Sequence, residues 1–233
     1  MSLLGTAALT MWWDMAPEMR ADFEDWHSHE HFPERLGVPG FRRASRWTSA
    51  TGGEGIFVMY ELEAYEILSS PHYLARLNDP TPWSTRMMPH HRNMVRGQCR
   101  IVESTGGGVA RQAVTVRLSP TAGREEELRS SLASLLGTLS TRPGLVGAHL
   151  LKHDTPPIAI TKEQQIRGAA DQVADWVLVA IGYDPVVMKQ LAETELSPDS
   201  LIQAGGRPGQ TSGLYALSYS ATPADVVRRS HGS

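Results

Sequence analysis

Hydrophobic periodicity lays out the same order of elements twice along the 233 residues. In the first half, strand-like runs cover 3–13, 41–48, 55–62 and 98–104, with helical patterns at 16–30 and 64–77. In the second half, strands are expected at 111–118, 145–152, 176–183 and 213–220, with helices at 124–141 and 185–195. Each half therefore reads βαββαβ, and a period of this kind restricts the topologies open to the chain more than any single motif does.

Landmarks support the repeat. Met19, Phe23 and Trp26 form an i, i+4, i+7 apolar stripe in the first helix, and Leu128, Leu132 and Leu135 form the same stripe 109 residues later. A Pro-Gly-apolar triplet opens the next strand in both halves, Pro39-Gly40-Phe41 and Pro143-Gly144-Leu145. A βαββαβ unit is ferredoxin-like: its helices cover one sheet face and leave the other apolar and bare. Two such units in one chain satisfy each other by packing those faces together or by closing into a barrel with a cavity between them. The expected fold class is α+β, with tandem ferredoxin-like repeats forming one intrachain dimeric-type α+β barrel. The expected boundaries are 1–106 for the first repeat, a glycine linker at 107–110, 111–225 for the second repeat and a flexible tail at 226–233.

Bulk properties bound the partners. Hydrophobic residues make up 41% and charged residues 20%, an ordinary globular balance. A net charge of −3, without a dense Lys/Arg run, argues against nucleic acid. The single cysteine, Cys99, excludes an internal disulfide and a CxxC pair. The apolar start lacks a positive n-region, and no stretch approaches the length of a membrane span. The expectation is a cytoplasmic protein without a membrane partner, either a monomer with an internal pseudo-dimer or a homodimer.

The chemistry is concentrated where the halves differ. Trp26 to Pro39 is 13 steps and Leu135 to Pro143 only 8, so the first repeat carries about five extra residues within HSHEHFPERLGV. On a helical wheel Glu30 falls on the apolar face, where the second half has Leu139, and His27 and Glu34 flank it. Pro33 is expected to end the helix near Glu30, leaving His31 and Glu34 on an exit loop at the barrel mouth. His31, His27 and Glu30 are the candidate acid–base groups. The bland alternatives are a Glu30–Arg35 salt bridge or cap, and an HxxxH metal pair formed by His27 and His31. The second half spends its extra length on a polar, Pro-containing hairpin at 153–171, expected to be an ordered loop or flap.

The connection at 79–98 holds Trp83, Arg86, Arg92 and the pair His90-His91, whereas its counterpart has no His and no aromatic residue. Trp83, Arg86 and His90 are candidate contacts for an anionic or phenolic ligand, and a solvated surface loop is the alternative. His149 lies on a strand, and parity decides whether it faces the lumen. Tyr215 and Tyr219 share a parity on the last strand, which suggests one face.

The runs HEHFPERLGVPGFRRASRW and FVMYELEAYEILSSPHYLARLNDPTPW resemble bacterial EthD-like proteins of the dimeric α+β-barrel superfamily, over about residues 12–104. The second half matches only in element order. The resemblance implies a central cavity for small, often aromatic or polyketide-like molecules, commonly without a bound cofactor. It also implies an acid–base histidine near the cavity mouth, at His31 or His27.

Three functions compete. The first is a cofactor-independent enzyme of isomerase, cyclase, dehydratase or monooxygenase type. The second is a non-catalytic small-ligand-binding or structural barrel, filled by its six tryptophans and nine methionines. The third is a haem-binding barrel.

Overall fold

The computed structural model describes residues 3–156, 158–168 and 172–226. The strands are β1 (Ala7–Asp14), β2 (Phe41–Ser49), β3 (Gly55–Leu62), β4 (Arg92–Gly106), β5 (Gln112–Leu118), β6 (Leu145–His153), β7 (Gln172–Val173), β8 (Trp176–Gly182) and β9 (Thr211–Ala221). The helices are α1 (Arg20–Trp26), α2 (Phe32–Leu36), α3 (Pro71–Asn78), α4 (Pro82–Met87), α5 (Glu125–Leu139), α6 (Lys162–Arg167), α7 (Pro185–Glu193) and α8 (Pro198–Gln203).

Eight strands close an antiparallel barrel in the order β1-β3-β2-β9-β5-β8-β6-β4, with β4 returning to β1. Strand β7 pairs parallel to β4 outside the ring. The two halves meet at β2–β9 and β4–β6, where each would otherwise present an open edge. Among the described residues no helix is long and apolar enough to cross a membrane.

Alternation along the strands splits the apolar residues into three layers. Leu9, Trp13, Ile56, Val58 and Tyr60 face outward beneath α1, α2 and α3. Val114, Val116, Leu150 and Leu178 face outward beneath α5 and α7. Trp12, Trp47, Phe57, Met59, Cys99, Val179 and Ile181 point into the lumen.

That lumen is a packed core, which corrects the expectation of a central cavity. Trp12 and Trp47 each stack on Phe57 at 5.1 Å between ring centroids, at 21° and 24°. An eight-stranded barrel has an interior just wide enough for side chains, and here two indoles and a phenyl ring occupy it. Cys99 is free and buried there.

Other departures have local causes. Strand β4 begins at Arg92, six residues earlier than its pattern suggests, because Asn93 and Gly97 weaken the strand signal. Asn93 takes φ 54°, and a Cβ on Gly97 would lie 2.6 Å from Thr10 Oγ1. The expected loops at 79–98 and 153–171 contain α4 and α6. Each is announced by a threonine N-cap, Thr81 before Pro82 and Thr161 before Lys162. Tyr215 and Tyr219 do not share a face: a bulge between the Trp47–Leu217 and Arg46–Tyr219 pairs sends Tyr215 into the lumen and Tyr219 against the outer core. Of the expected tail, 227–233 lies outside the described residues.

Candidate functional site

Pro33 does not end the first helix. Residues His27–His31 form a single π-turn in which the Phe32 N–H donates to the His27 carbonyl, and α2 continues the axis to Leu36. Proline inside a regular helix crowds the carbonyl four residues back. The wider turn, which holds one residue more than a regular one, relieves that crowding, and α2 carries the rest of the extra length of the first half. It also decides which residues face inward. In a regular α-helix residues four apart drift by roughly 40°. Here Phe23, His27, His31 and Arg35, spaced by four, are all buried. Glu30, which the regular wheel put on the apolar face, turns aside.

The inward residues close a cavity on the outer face of the sheet, between β1, β3, β4 and the first helix. Its lining includes Trp13, Trp26, His27, His31, Arg35, Tyr60 and His91. Its volume is about 40 Å³, room for roughly three ordered waters. The rings of His27 and His31 lie 5.3 Å apart at 27°, and Trp26 covers His31 at 4.5 Å.

Buried polar atoms around this space without a hydrogen-bond partner among the described residues include Trp13 Nε1, His27 Nδ1, His31 Nδ1 and Tyr60 Oη. Buried polar atoms are normally paired, so their convergence on one cavity marks a place where water or a ligand completes the bonding.

Electrostatics set the protonation states. Burial, followed by the nearby positive groups, holds both His27 and His31 well below the ordinary imidazole range, so both are neutral at pH 7. Burial raises the Tyr60 hydroxyl, which stays protonated. Arg35 is 3% exposed. Burial works against its charge, but Glu163 and Glu34 outweigh that and hold the guanidinium protonated. Glu34 stands 3.5 Å from Arg35 Nη1 and 3.8 Å from His31 Nδ1. Desolvation nevertheless raises its carboxyl above the usual range.

Glu163 comes from the second half. Helix α6 rides on the 153–171 insert and lays Glu163 on Arg35 Nη2 as an ion pair. The helix is held by the Thr161–Gln164 capping box and by the Lys162 N–H donating to Asn78 Oδ1. The insert thus completes a cavity built by the other half of the chain.

The structure brings His27 and His31 together in this cavity and distributes the remaining candidates elsewhere. Glu30 points to α4, where Oε1 accepts from Trp26 Nε1 at 3.2 Å, from Thr81 Oγ1 and, at 3.5 Å, from Ser84 Oγ. Trp83 donates from Nε1 to Asp22 Oδ1 at 3.0 Å, and Arg86 pairs with Asp22 at 3.4 Å on the surface. Of the pair His90-His91 it is His91 that lines the cavity, edge-on to Trp13 at 4.9 Å, with Nδ1 3.0 Å from the Met88 carbonyl. His149 lies on the opposite side of the sheet, in the lumen, with Nδ1 2.8 Å from Ser104 Oγ. Tyr60 and Glu163 line the cavity without having been candidates, as do Tyr73, Arg96 and Arg167, while Arg35 and His91 entered the sequence analysis only as a salt-bridge partner and as one of a histidine pair. No group of three or more metal-ligating side chains occurs among the described residues.

No protein-family model matches the chain, and no curated protein matches it in sequence. Solved structures do match in shape. An anthrone oxidase-like protein superposes with a TM-score of 0.61 at 10% identity, over 97% of this chain and 98% of that one. A candidate monooxygenase from Fusobacterium nucleatum gives 0.59 at 9% identity, over 94% and 96%. One from Lactobacillus acidophilus gives 0.57 at 8%, over 94% and 97%. The fold is a ferredoxin-like α+β barrel. At such low identity the likeness concerns architecture alone, and the reading of the chemistry rests on the cavity.

Proposed function

We propose that the cavity between the first helix and the sheet is the active site of a small-molecule enzyme that works by acid–base chemistry without a bound cofactor. The observation that carries this reading is the convergence on one space of Trp13 Nε1, His27 Nδ1, His31 Nδ1 and Tyr60 Oη, all buried and without a hydrogen bond among the described residues. Both imidazoles are neutral, so each has a ring nitrogen lone pair free to accept a proton. His31 takes a proton from an acidic C–H or O–H of the substrate, with His27 as its neighbour and alternate. The Arg35 guanidinium and the Trp13 and Tyr60 donors stabilise the anion that forms. The imidazolium returns the proton at another atom in an isomerisation, cyclisation or dehydration. In a monooxygenation the carbanion is oxidised by dioxygen as co-reactant: the peroxide formed at that carbon takes the proton back from the imidazolium and loses water as its O–O bond breaks, leaving a carbonyl. Glu34, 3.8 Å from His31 Nδ1 and with its carboxyl raised above the usual range by burial, is the neighbouring group that exchanges the balancing proton with His31.

The architectural neighbours, among them an anthrone oxidase-like protein, support a small aromatic or polyketide-like substrate. The EthD-like affiliation and the origin of the barrel as a tandem ferredoxin-like duplication belong to the same proposal. In this reading Trp83, Arg86 and Glu30 anchor α4 to the first helix, and His149 serves the lumen. Haem does not fit the cavity in this form: Trp26 already covers the His31 ring, His27 stacks beside it, and about 40 Å³ admits no macrocycle. That narrowness favours, as a second reading, a binder of a small ligand that performs no chemistry.

The test is turnover of a panel of hydroxylated aromatic and enolisable substrates by wild type and His31→Gln. The catalytic reading expects a loss of about 10² to 10⁴ in kcat. Full activity in His31→Gln would remove it, and tight binding without turnover would select the binder.

A further inference from the structure

We infer that α6 is a built-in plug, and that the Glu163 carboxylate occupies on Arg35 the seat of a carboxylate carried by the ligand. The inference rests on the reading of this cavity as a small-molecule site, and it names the class of molecule and the device that guards the site.

Arg35 lies at the cavity wall with almost no solvent contact. A buried guanidinium requires an anion, and its planar fork matches any carboxylate. One of its carboxylates, Glu34, is the preceding residue on the same helix and is fixed by the backbone. The other, Glu163, arrives from 128 residues away on an insert that the first half does not possess. Glu163, carried on a separate element, can be withdrawn from Arg35, whereas Glu34 cannot.

The insert is also suited to leave. Helix α6 has six residues, too few for a helix to persist without its contacts. Its tertiary anchors include Glu163 itself, the Lys162 N–H to Asn78, and Ile166 packed on the outer core. Just before it Ile160 is 75% exposed. With Glu163 seated, the cavity has room for about three waters. Glu163 and Arg167 both line the cavity, so withdrawing them enlarges it.

Exchange of one carboxylate for another leaves the charge around Arg35 unchanged. A neutral ligand of the same shape would displace Glu163 without replacing its charge, leaving the buried guanidinium short of an anion. The plug therefore doubles as a filter for carboxylates.

Calorimetric titration of the full chain with benzoate and its neutral isostere benzamide tests this. Glu163→Gln is expected to bind benzoate at least about tenfold tighter than wild type, with benzamide unchanged. Thr161→Ala, which loosens the cap of α6 and leaves every charge in place, is expected to tighten benzoate by about fivefold. Absence of benzoate binding to both variants, or equal gains for benzamide, would overturn the inference. Tighter benzoate binding in Glu163→Gln, with no turnover of the hydroxylated aromatic and enolisable panel by wild type, would keep the plug and remove the catalytic reading. His31-dependent turnover with benzoate indifferent to both variants would do the reverse.

Discussion

His31 Nδ1 lies 3.8 Å from Glu34 Oε2, and both side chains are under a tenth exposed. The two groups are driven in opposite directions by the same cause: desolvation favours the uncharged form, lowering the imidazole and raising the carboxyl. Linkage makes this testable. A raised folded-state pKa means that the native state binds a proton which the unfolded chain has released. Glu34 therefore contributes stability that is complete below its unfolded pKa and is lost as pH rises through its folded value. Glu34→Gln, uncharged throughout, should be more stable than wild type at pH 7, with the advantage shrinking towards pH 4. Urea unfolding at the two pH values measures it, and a wild type that is the more stable at pH 7 would contradict the assignment.

His149 provides the opposite slope. Its ring is fully buried in the lumen and its pKa falls to about 4 through burial. Below about pH 6.5 the unfolded chain binds a proton that the native state refuses, so stability declines as pH falls from 6.5 towards 4. The contribution is on the order of 3 kcal/mol across that window. His149→Gln does not titrate and has an amide to meet Ser104. The difference between wild-type and variant profiles should therefore flatten above pH 6.5 and steepen below it. Denaturant midpoints collected from pH 7.5 to 4 decide the matter.

The stacked lumen makes a mechanical prediction. Trp47 is buried against Phe57 and belongs to neither outer layer. Trp47→Ala should cost about 3–5 kcal/mol, the range for deleting a large aromatic from a core that relaxes only partly. A loss below about 1 kcal/mol would mean that the lumen yields easily and is available to a ligand after all.

The sequence made the barrel legible because both halves carry their helices and strands in strong periodic form: Gly55–Leu62 and Leu128–Leu132 could be read with little ambiguity. It also pointed to His27 and His31, through the extra residues after Trp26. What escaped depended on one backbone irregularity and one long-range contact. The π-turn exchanges Glu30 for His31 on the inner face, and a wheel with a fixed angle per residue has no means of anticipating that. The Arg35–Glu163 pair spans 128 residues and has no local pattern. For His91 against His90 the choice rests on the chain direction leaving Met88, which neighbouring identical residues do not reveal. The threonine caps before α4 and α6 were visible signals, and they mark both connections as ordered.

Glu30 offers the sharpest separation between a structural and a chemical role. Its Oε1 gathers Trp26 Nε1, Thr81 Oγ1 and Ser84 Oγ, tying α4 to the first helix from the side away from the cavity. Removing a partly buried carboxylate that accepts three hydrogen bonds takes away the acceptor of Thr81 Oγ1 and Ser84 Oγ and leaves Trp26 Nε1 only its bond to Ser84 Oγ, and Glu30→Ala should lose about 1–3 kcal/mol of stability. The Trp26 ring covers His31, so its loosening should broaden the His31 resonances in NMR spectra without changing the neutral state of the imidazole at pH 7. Glu30→Gln keeps an oxygen acceptor in place and should restore most of the stability. Were Glu30→Gln to fold with wild-type stability and bind ligand normally, yet lose turnover by the factor of about 10² that removing a general acid or base costs, the carboxylate would be part of the proton transfer and not only its scaffold.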